Sequence, residues 1–174
     1  MALDPHKGYR SLLHGRSSQS GSDYFVTFCT EKRLGGLSTA EIASSILAEL
    51  HRMETEGVWF SRCAVVMPDH IHLLIQLADK LTLGKAVARL KAKSGSVLKA
   101  AGVRWQDGYC EHHMRPKEDR LPVFLYIYLN PYRAGLLPAR KVWPWFVCGE
   151  EDRAWFMPML DRGLIEPAWL ANLP

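Results

Sequence analysis

Residues 67 to 77 read MPDHIHLLIQL, a turn-like MPD followed by an apolar run that carries two histidines, His70 and His72, with only Ile71 between them. On a strand, residues two apart share a face. Ile71, Leu73, Ile75 and Leu77 therefore face one way, and His70, His72 and Gln76 the other. Two imidazoles on one face form a donor pair. Neutral imidazole is a common metal ligand, and two of them converge on one ion if a third group arrives from elsewhere; taken alone, the pair also fits satisfied structural histidines.

Working outward, DYFVTFCT at 23–30 is rich in aromatic and β-branched residues and predicts a strand. A helix follows, with Ser38 and Glu41 spaced as a capping box, an apolar stripe of Ile42, Ile46, Leu50 and Met53, and Gly57 placed to end it. Residues 58–67 predict a second strand that makes a hairpin with a third at 70–77. A second helix runs from about Leu83 to Ala101, with Leu83, Val87, Leu90 and Val97 inward and Gly102 closing it. GYCEHHMR at 108–115 predicts a fourth strand and 118–130 a third helix. Pro131 is expected to kink or stop that helix, having no amide proton to donate. The order βαββαβ followed by α predicts an α+β fold: a ferredoxin-like split βαβ antiparallel sheet with helices on both faces. Two helices would cover one face, leaving the histidines on the other, working face.

The 174 residues suit one domain with a real core. Residues 1–22, including HGRSSQSGSD, are expected to form a flexible basic arm, 23–148 the domain, and 149–174 an acidic tail to which no motif assigns a role. No signal-peptide core is visible, and the longest dense apolar run, VFLYIYL at 123–129, is far short of the roughly 20 residues that span a bilayer. A soluble, cytoplasmic protein is expected. Cys29, Cys63, Cys110 and Cys148 form no CxxC pair and are expected as reduced, mostly buried thiols. The net charge of +4 is unevenly spread: Leu81 to Arg104 holds six basic residues and no acid. Such a stripe on one element suggests a polyanion, nucleic acid above all, although a solvated helix face gives the same pattern.

In LYIYLNPYRAGLL at 125–137, Tyr126 and Asn130 are four residues apart and so share one helix face. An Asn130 amide oxygen could complete a two-histidine metal site, beside which a phenol could attack phosphorus. Equally, Tyr126 could be a core aromatic and Asn130, before Pro131, an N-cap.

Taken together, VVMPDHIHLLIQL, RWQDGYCEHHMR, YIYLNPYRAGLL and WPW at 143–145 resemble the IS200-like transposases, and within them the REP-associated tyrosine transposases, over residues 23–146. That family belongs to the HUH class of single-stranded DNA endonucleases, named for the histidine–hydrophobic–histidine triplet. The resemblance implies that His70 and His72 bind metal, that Asn130 is the third ligand and that Tyr126 is the single nucleophile. Asp69 stands where many relatives have asparagine, and Tyr132 where they usually have valine. The implied activity is cleavage and rejoining of single-stranded DNA at hairpin-associated, REP-like sites through a 5′-phosphotyrosine intermediate, with Mg²⁺ or Mn²⁺ as cofactor. Lys85, Arg89, Lys93 and Arg133 are candidate DNA contacts, and the expected partner is single-stranded or hairpin DNA, bound by a bacterial, cytoplasmic monomer, with a dimer as the alternative. Competing readings are a catalytically idle hairpin-binding protein and a metal-dependent phosphodiesterase that uses water. None of the glycine-rich phosphate-binding motifs is present.

Overall fold

A computed structural model describes residues 18–156 and 158. The rest of the expected arm and tail, 1–17, 157 and 159–174, lies outside the described residues. Among the described residues, five strands and four α-helices follow in the order β1 (Asp23–Cys29), α1 (Ala40–Thr55), β2 (Trp59–Val66), β3 (His70–Leu77), α2 (Leu83–Ala100), β4 (Cys110–His113), α3 (Leu121–Arg133), β5 (Phe146–Cys148) and α4 (Glu150–Phe156). The sheet is antiparallel throughout, in spatial order β4-β1-β3-β2-β5. With β3 between β1 and β2, this is the split βαβ arrangement expected, widened by one edge strand.

Alternation along β1 and β3 divides the core in two. Tyr24, Val26 and Phe28 of β1 and Ile71, Leu73, Ile75 and Leu77 of β3 meet α1 and α2 through Ile42, Ile46, Leu50, Met53, Val87 and Leu90. On the other face, Cys63, Val65 and Leu74 meet Phe124, Ile127, Tyr128 and Leu129 of α3 and Phe156 of α4. The helices thus lie on both faces, α1 and α2 opposite the histidines and α3 on their side. Among the described residues, no helix is long and apolar enough to cross a membrane.

Gly57 (φ +67°) and Gly102 (φ +73°) end α1 and α2 in the left-handed region, as expected. The capping box does not form. The N-cap of α1 is Thr39, not Ser38, and its side chain makes no cap bond; the fully buried Leu37, whose amide donates to Pro68 O at 2.9 Å, fixes the chain one residue before that box could close.

Pro131 neither stops α3 nor bounds it: the helix continues to Arg133. One amide bond is forfeited, but the proline ring is buried, and Ala134 and Leu136 donate to Asn130 O and Pro131 O at 3.0 Å each. Where the sequence shows no element, strand β5 joins the free edge of β2 and helix α4 packs onto this same face. Residues 18–22 are tied to the sheet and to the start of α2: Gly21 N donates to Leu77 O at 2.7 Å and Leu83 N to Ser18 Oγ at 2.8 Å.

Candidate active site

The site lies where the start of β3, the end of β1 and the outer face of α3 meet. His70 pairs with Cys29 and His72 with Thr27 across the ladder, so β1 supplies the residues beside the imidazoles. Their Nε2 atoms face each other at 3.1 Å. Each Nδ1 is held from behind: His70 by Asp69 Oδ1 at 2.6 Å, His72 by Thr27 Oγ1 at 2.7 Å. A carboxylate oxygen only accepts, so His70 carries its proton on Nδ1 and presents a lone pair at Nε2. The Thr27 hydroxyl both donates and accepts, and so supports either tautomer of His72. In one, Nε2–H of His72 donates to His70; in the other, both Nε2 lone pairs face the same point.

Burial lowers the pKa of His70 despite the opposing Asp69 carboxylate and a hydrogen bond to Asn130. His72, 4% exposed, is lowered well below the usual histidine value, first by burial and then by His70 and Arg33. Both rings are therefore neutral near neutral pH.

The loop after β1 extends this support. Lys32 (φ +53°) and Arg33 (φ +56°) occupy the left-handed region, a costly choice for residues with a Cβ. Flanking bonds hold the turn, from Glu31 N to Arg104 O at 2.8 Å and from Thr30 Oγ1 to Leu34 O at 2.7 Å. The turn brings Arg33 Nε to Asp69 Oδ2 at 3.0 Å, so Asp69 is held between a guanidinium and an imidazole.

Helix α3 supplies the rest. Tyr126 is 39% exposed, its ring edge-on to His72 at 5.2 Å and to Phe25 at 5.8 Å. Arg133 lies over the Tyr126 ring at 5.4 Å. Asn130, one turn beyond Tyr126, is half-buried and bonds His70. The other tyrosines among the described residues are placed elsewhere. Tyr128 is 5% exposed in the core, where burial raises its pKa far above that of a free phenol, and Tyr132 donates to Lys141 O at 2.8 Å. Tyr109 packs against the core on the α1–α2 face.

The structure thus brings His70, His72, Tyr126, Asn130 and Arg133 together. It does not bring Lys85, Arg89 and Lys93 to them, because α2 covers the opposite face of the sheet. Arg89 is engaged by Glu56, the C-cap residue of α1, at 2.6 Å and by the buried Glu49 of α1 at 3.5 Å, whereas Lys85 and Lys93 are exposed. Sequence reasoning assigned no role to Thr27, Asp69 or Arg33. Alternation in DYFVTFCT sets Thr27 on the histidine face, a signal available in advance. Nothing local announces the left-handed turn at Arg33.

Among the described residues, no group of three or more His, Cys, Asp and Glu side chains is arranged to hold a metal ion. A site here must draw on another donor type, and the Asn130 amide is in place. The two Nε2 atoms are close enough to share one ion at the roughly 2.1 Å of an imidazole–metal bond, and each ring has the Nδ1 partner such ligands usually have. The donor set fits a divalent cation.

A family model described as "Transposase IS200 like" matches residues 18–121, more than half of the chain. The chain belongs to the IS200-like transposase family. The family match includes both histidines and ends before Tyr126. A Haemophilus influenzae protein named a REP-associated tyrosine transposase is 27% identical, with 75% of this chain and 81% of that protein covered. A solved structure of a REP-associated tyrosine transposase bound to a REP hairpin shares the fold, with a TM-score of 0.61, 21% identity and coverage of 71% of this chain and 74% of that one. A transposase structure from Deinococcus radiodurans gives a TM-score of 0.47 at 24% identity, covering 65% and 93%.

Proposed function

We propose that this IS200-like transposase cleaves and rejoins single-stranded DNA beside hairpins, with Tyr126 as nucleophile. The observation that carries the reading is the position of Tyr126, exposed and edge-on to His72 at 5.2 Å, on the same side as the converging Nε2 atoms. The hairpin bound by the structurally similar transposase supports DNA of that kind as the partner.

His70, His72 and Asn130 would hold Mg²⁺ or Mn²⁺, which when bound supplies Lewis-acid stabilisation of charge on the scissile phosphate. The Tyr126 oxygen attacks the phosphorus in line, losing its proton to solvent on the open side of the site. The P–O3′ bond breaks as the P–O(Tyr) bond forms, leaving a 5′-phosphotyrosine and a free 3′-OH. A DNA 3′-OH reverses the step, expelling Tyr126 and restoring a phosphodiester with no nucleotide triphosphate consumed. Arg133, over the Tyr126 ring, places a cation where the substrate backbone must approach.

The test is Tyr126→Phe on labelled hairpin oligonucleotides with Mn²⁺. The covalent adduct on a denaturing gel should vanish while hairpin binding stays near wild type, since one exposed oxygen is removed. Metal-dependent nicking that survives in Tyr126→Phe would instead support a phosphodiesterase using water.

A further inference from the structure

Cys63 of β2 and Cys148 of β5 stand directly opposite each other in the antiparallel ladder. Gly149 N donates to Arg62 O and Val66 N to Trp145 O, both at 2.9 Å. These bonds make Arg62/Gly149 and Val66/Trp145 hydrogen-bonded pairs. Because bonded and non-bonded pairs alternate, Cys63/Cys148 is a non-hydrogen-bonded pair, the kind whose Cα atoms approach to about 4.5 Å. A disulfide needs about 4.4 to 6.8 Å between Cα atoms. Directly opposite residues share a sheet face, and both thiols do, packing in the α3-side core with Cys63 fully buried and Cys148 half-buried.

We propose that Cys63 and Cys148 are a built-in disulfide site, oxidised by a small-molecule disulfide and reversibly clamping β5 to the body of the sheet. The Cys148 thiolate, the accessible partner, attacks a sulfur of oxidised glutathione and expels one glutathione thiolate. The Cys63 thiolate then attacks Cys148 Sγ and expels the second. The protein loses two electrons and two protons, and the oxidant leaves as two molecules of glutathione. The clamp matters because β5 is only three residues long and its Phe146 packs on Phe124 and Tyr128 of the helix that carries Tyr126.

The other two cysteines provide the internal control. Cys110 is paired with Thr27, so Cys29 lies diagonally from it, a relation that places Cα atoms about 7–8 Å apart, beyond what a disulfide bridges without backbone movement. The proposal does not depend on the DNA chemistry.

The test incubates the full chain with oxidised glutathione at mildly alkaline pH, followed by peptide mapping. The expected result is an intramolecular Cys63–Cys148 link, reversed by dithiothreitol, with Cys29 and Cys110 still open to alkylation and a raised thermal unfolding midpoint. Cys63→Ser should trap one glutathione on Cys148, and Cys148→Ser, at the half-buried position, should abolish the link. Persistent mixed disulfide on Cys148 in the wild type, a link to Cys29 or Cys110, or a midpoint that is unchanged or lower would overturn the proposal.

Discussion

Replacing Asp69 by asparagine keeps size and shape but exchanges a charged acceptor for a neutral amide behind His70. Asp69 Oδ1 receives the Nδ1 proton of His70 at 2.6 Å, and Arg33 engages the other oxygen at 3.0 Å. A hydrogen bond to a charged group contributes about 1.5–3 kcal/mol and a neutral one about 0.5–1.5. The loss is thus about 1–1.5 kcal/mol, and 1.36 kcal/mol is a factor of ten. Because Arg33 competes for the carboxylate and the group is partly exposed, the lower end applies. Mn²⁺ affinity of Asp69→Asn should fall about fivefold, just below the roughly 10- to 100-fold range for residues supporting a metal ligand. Saturating Mn²⁺ should restore most of the adduct-forming rate, since Tyr126 and Asn130 are untouched. Calorimetric titration near neutral pH, beside an unfolding curve to establish that the variant is folded, reads the effect. A folded Asp69→Asn that binds Mn²⁺ as tightly as wild type would refute the assignment of Asp69 as the group that orients His70.

Other expectations follow from the same geometry. Thr27→Val leaves Nδ1 of the buried His72 without a partner and should cost about 1–3 kcal/mol in urea unfolding, with weakened Mn²⁺ binding. Arg89→Ala should cost about 2 kcal/mol by removing a partner of the buried Glu49, while leaving the salt dependence of hairpin affinity unchanged; a flattened slope would return Arg89 to the DNA path. With a chelator present, the lowered pKa of His72 means that below about pH 6.5 the unfolded chain binds more protons than the native one. Stability should then fall with pH by up to about 1.4 kcal/mol per unit, a slope that His72→Gln should flatten.

The split of β3 into an apolar face and a histidine face was legible because side-chain alternation in a strand does not depend on the rest of the fold. The Tyr126–Asn130 relation was legible for the same kind of reason, a helical turn being a local repeat. What depends on distant partners was not. The basic row of α2 gives no local sign that Glu49 of α1 and Glu56 at its C-cap engage Arg89. The local rule for proline holds at Pro131, where an amide bond is lost, but burial of its ring and continued bonding from Ala134 and Leu136 outweigh it. Strand β5 has only three residues, too few for a pattern, and exists because β2 offers a free edge.

These distant partners bear on the chemistry. Tyr126 and Tyr128 are on one helix, about 160° apart by its 3.6-residue repeat, so a single rotation decides which phenol meets His72. That rotation is fixed from behind. Phe124 packs against Phe156 at 4.5 Å and Phe146 at 6.2 Å, and Tyr128 against the same two rings at 5.0 and 4.9 Å. Phe146 belongs to β5 and Phe156 to α4, neither of which carries a residue of the site. The matched family segment ends at residue 121, so Tyr126 and the aromatic buttress that sets the register of its helix both follow it. Phe156, fully buried at the end of α4, thereby links the acidic C-terminal region to the placement of Tyr126: emptying its pocket would leave the histidine pair intact on β3 while freeing the helix to rotate.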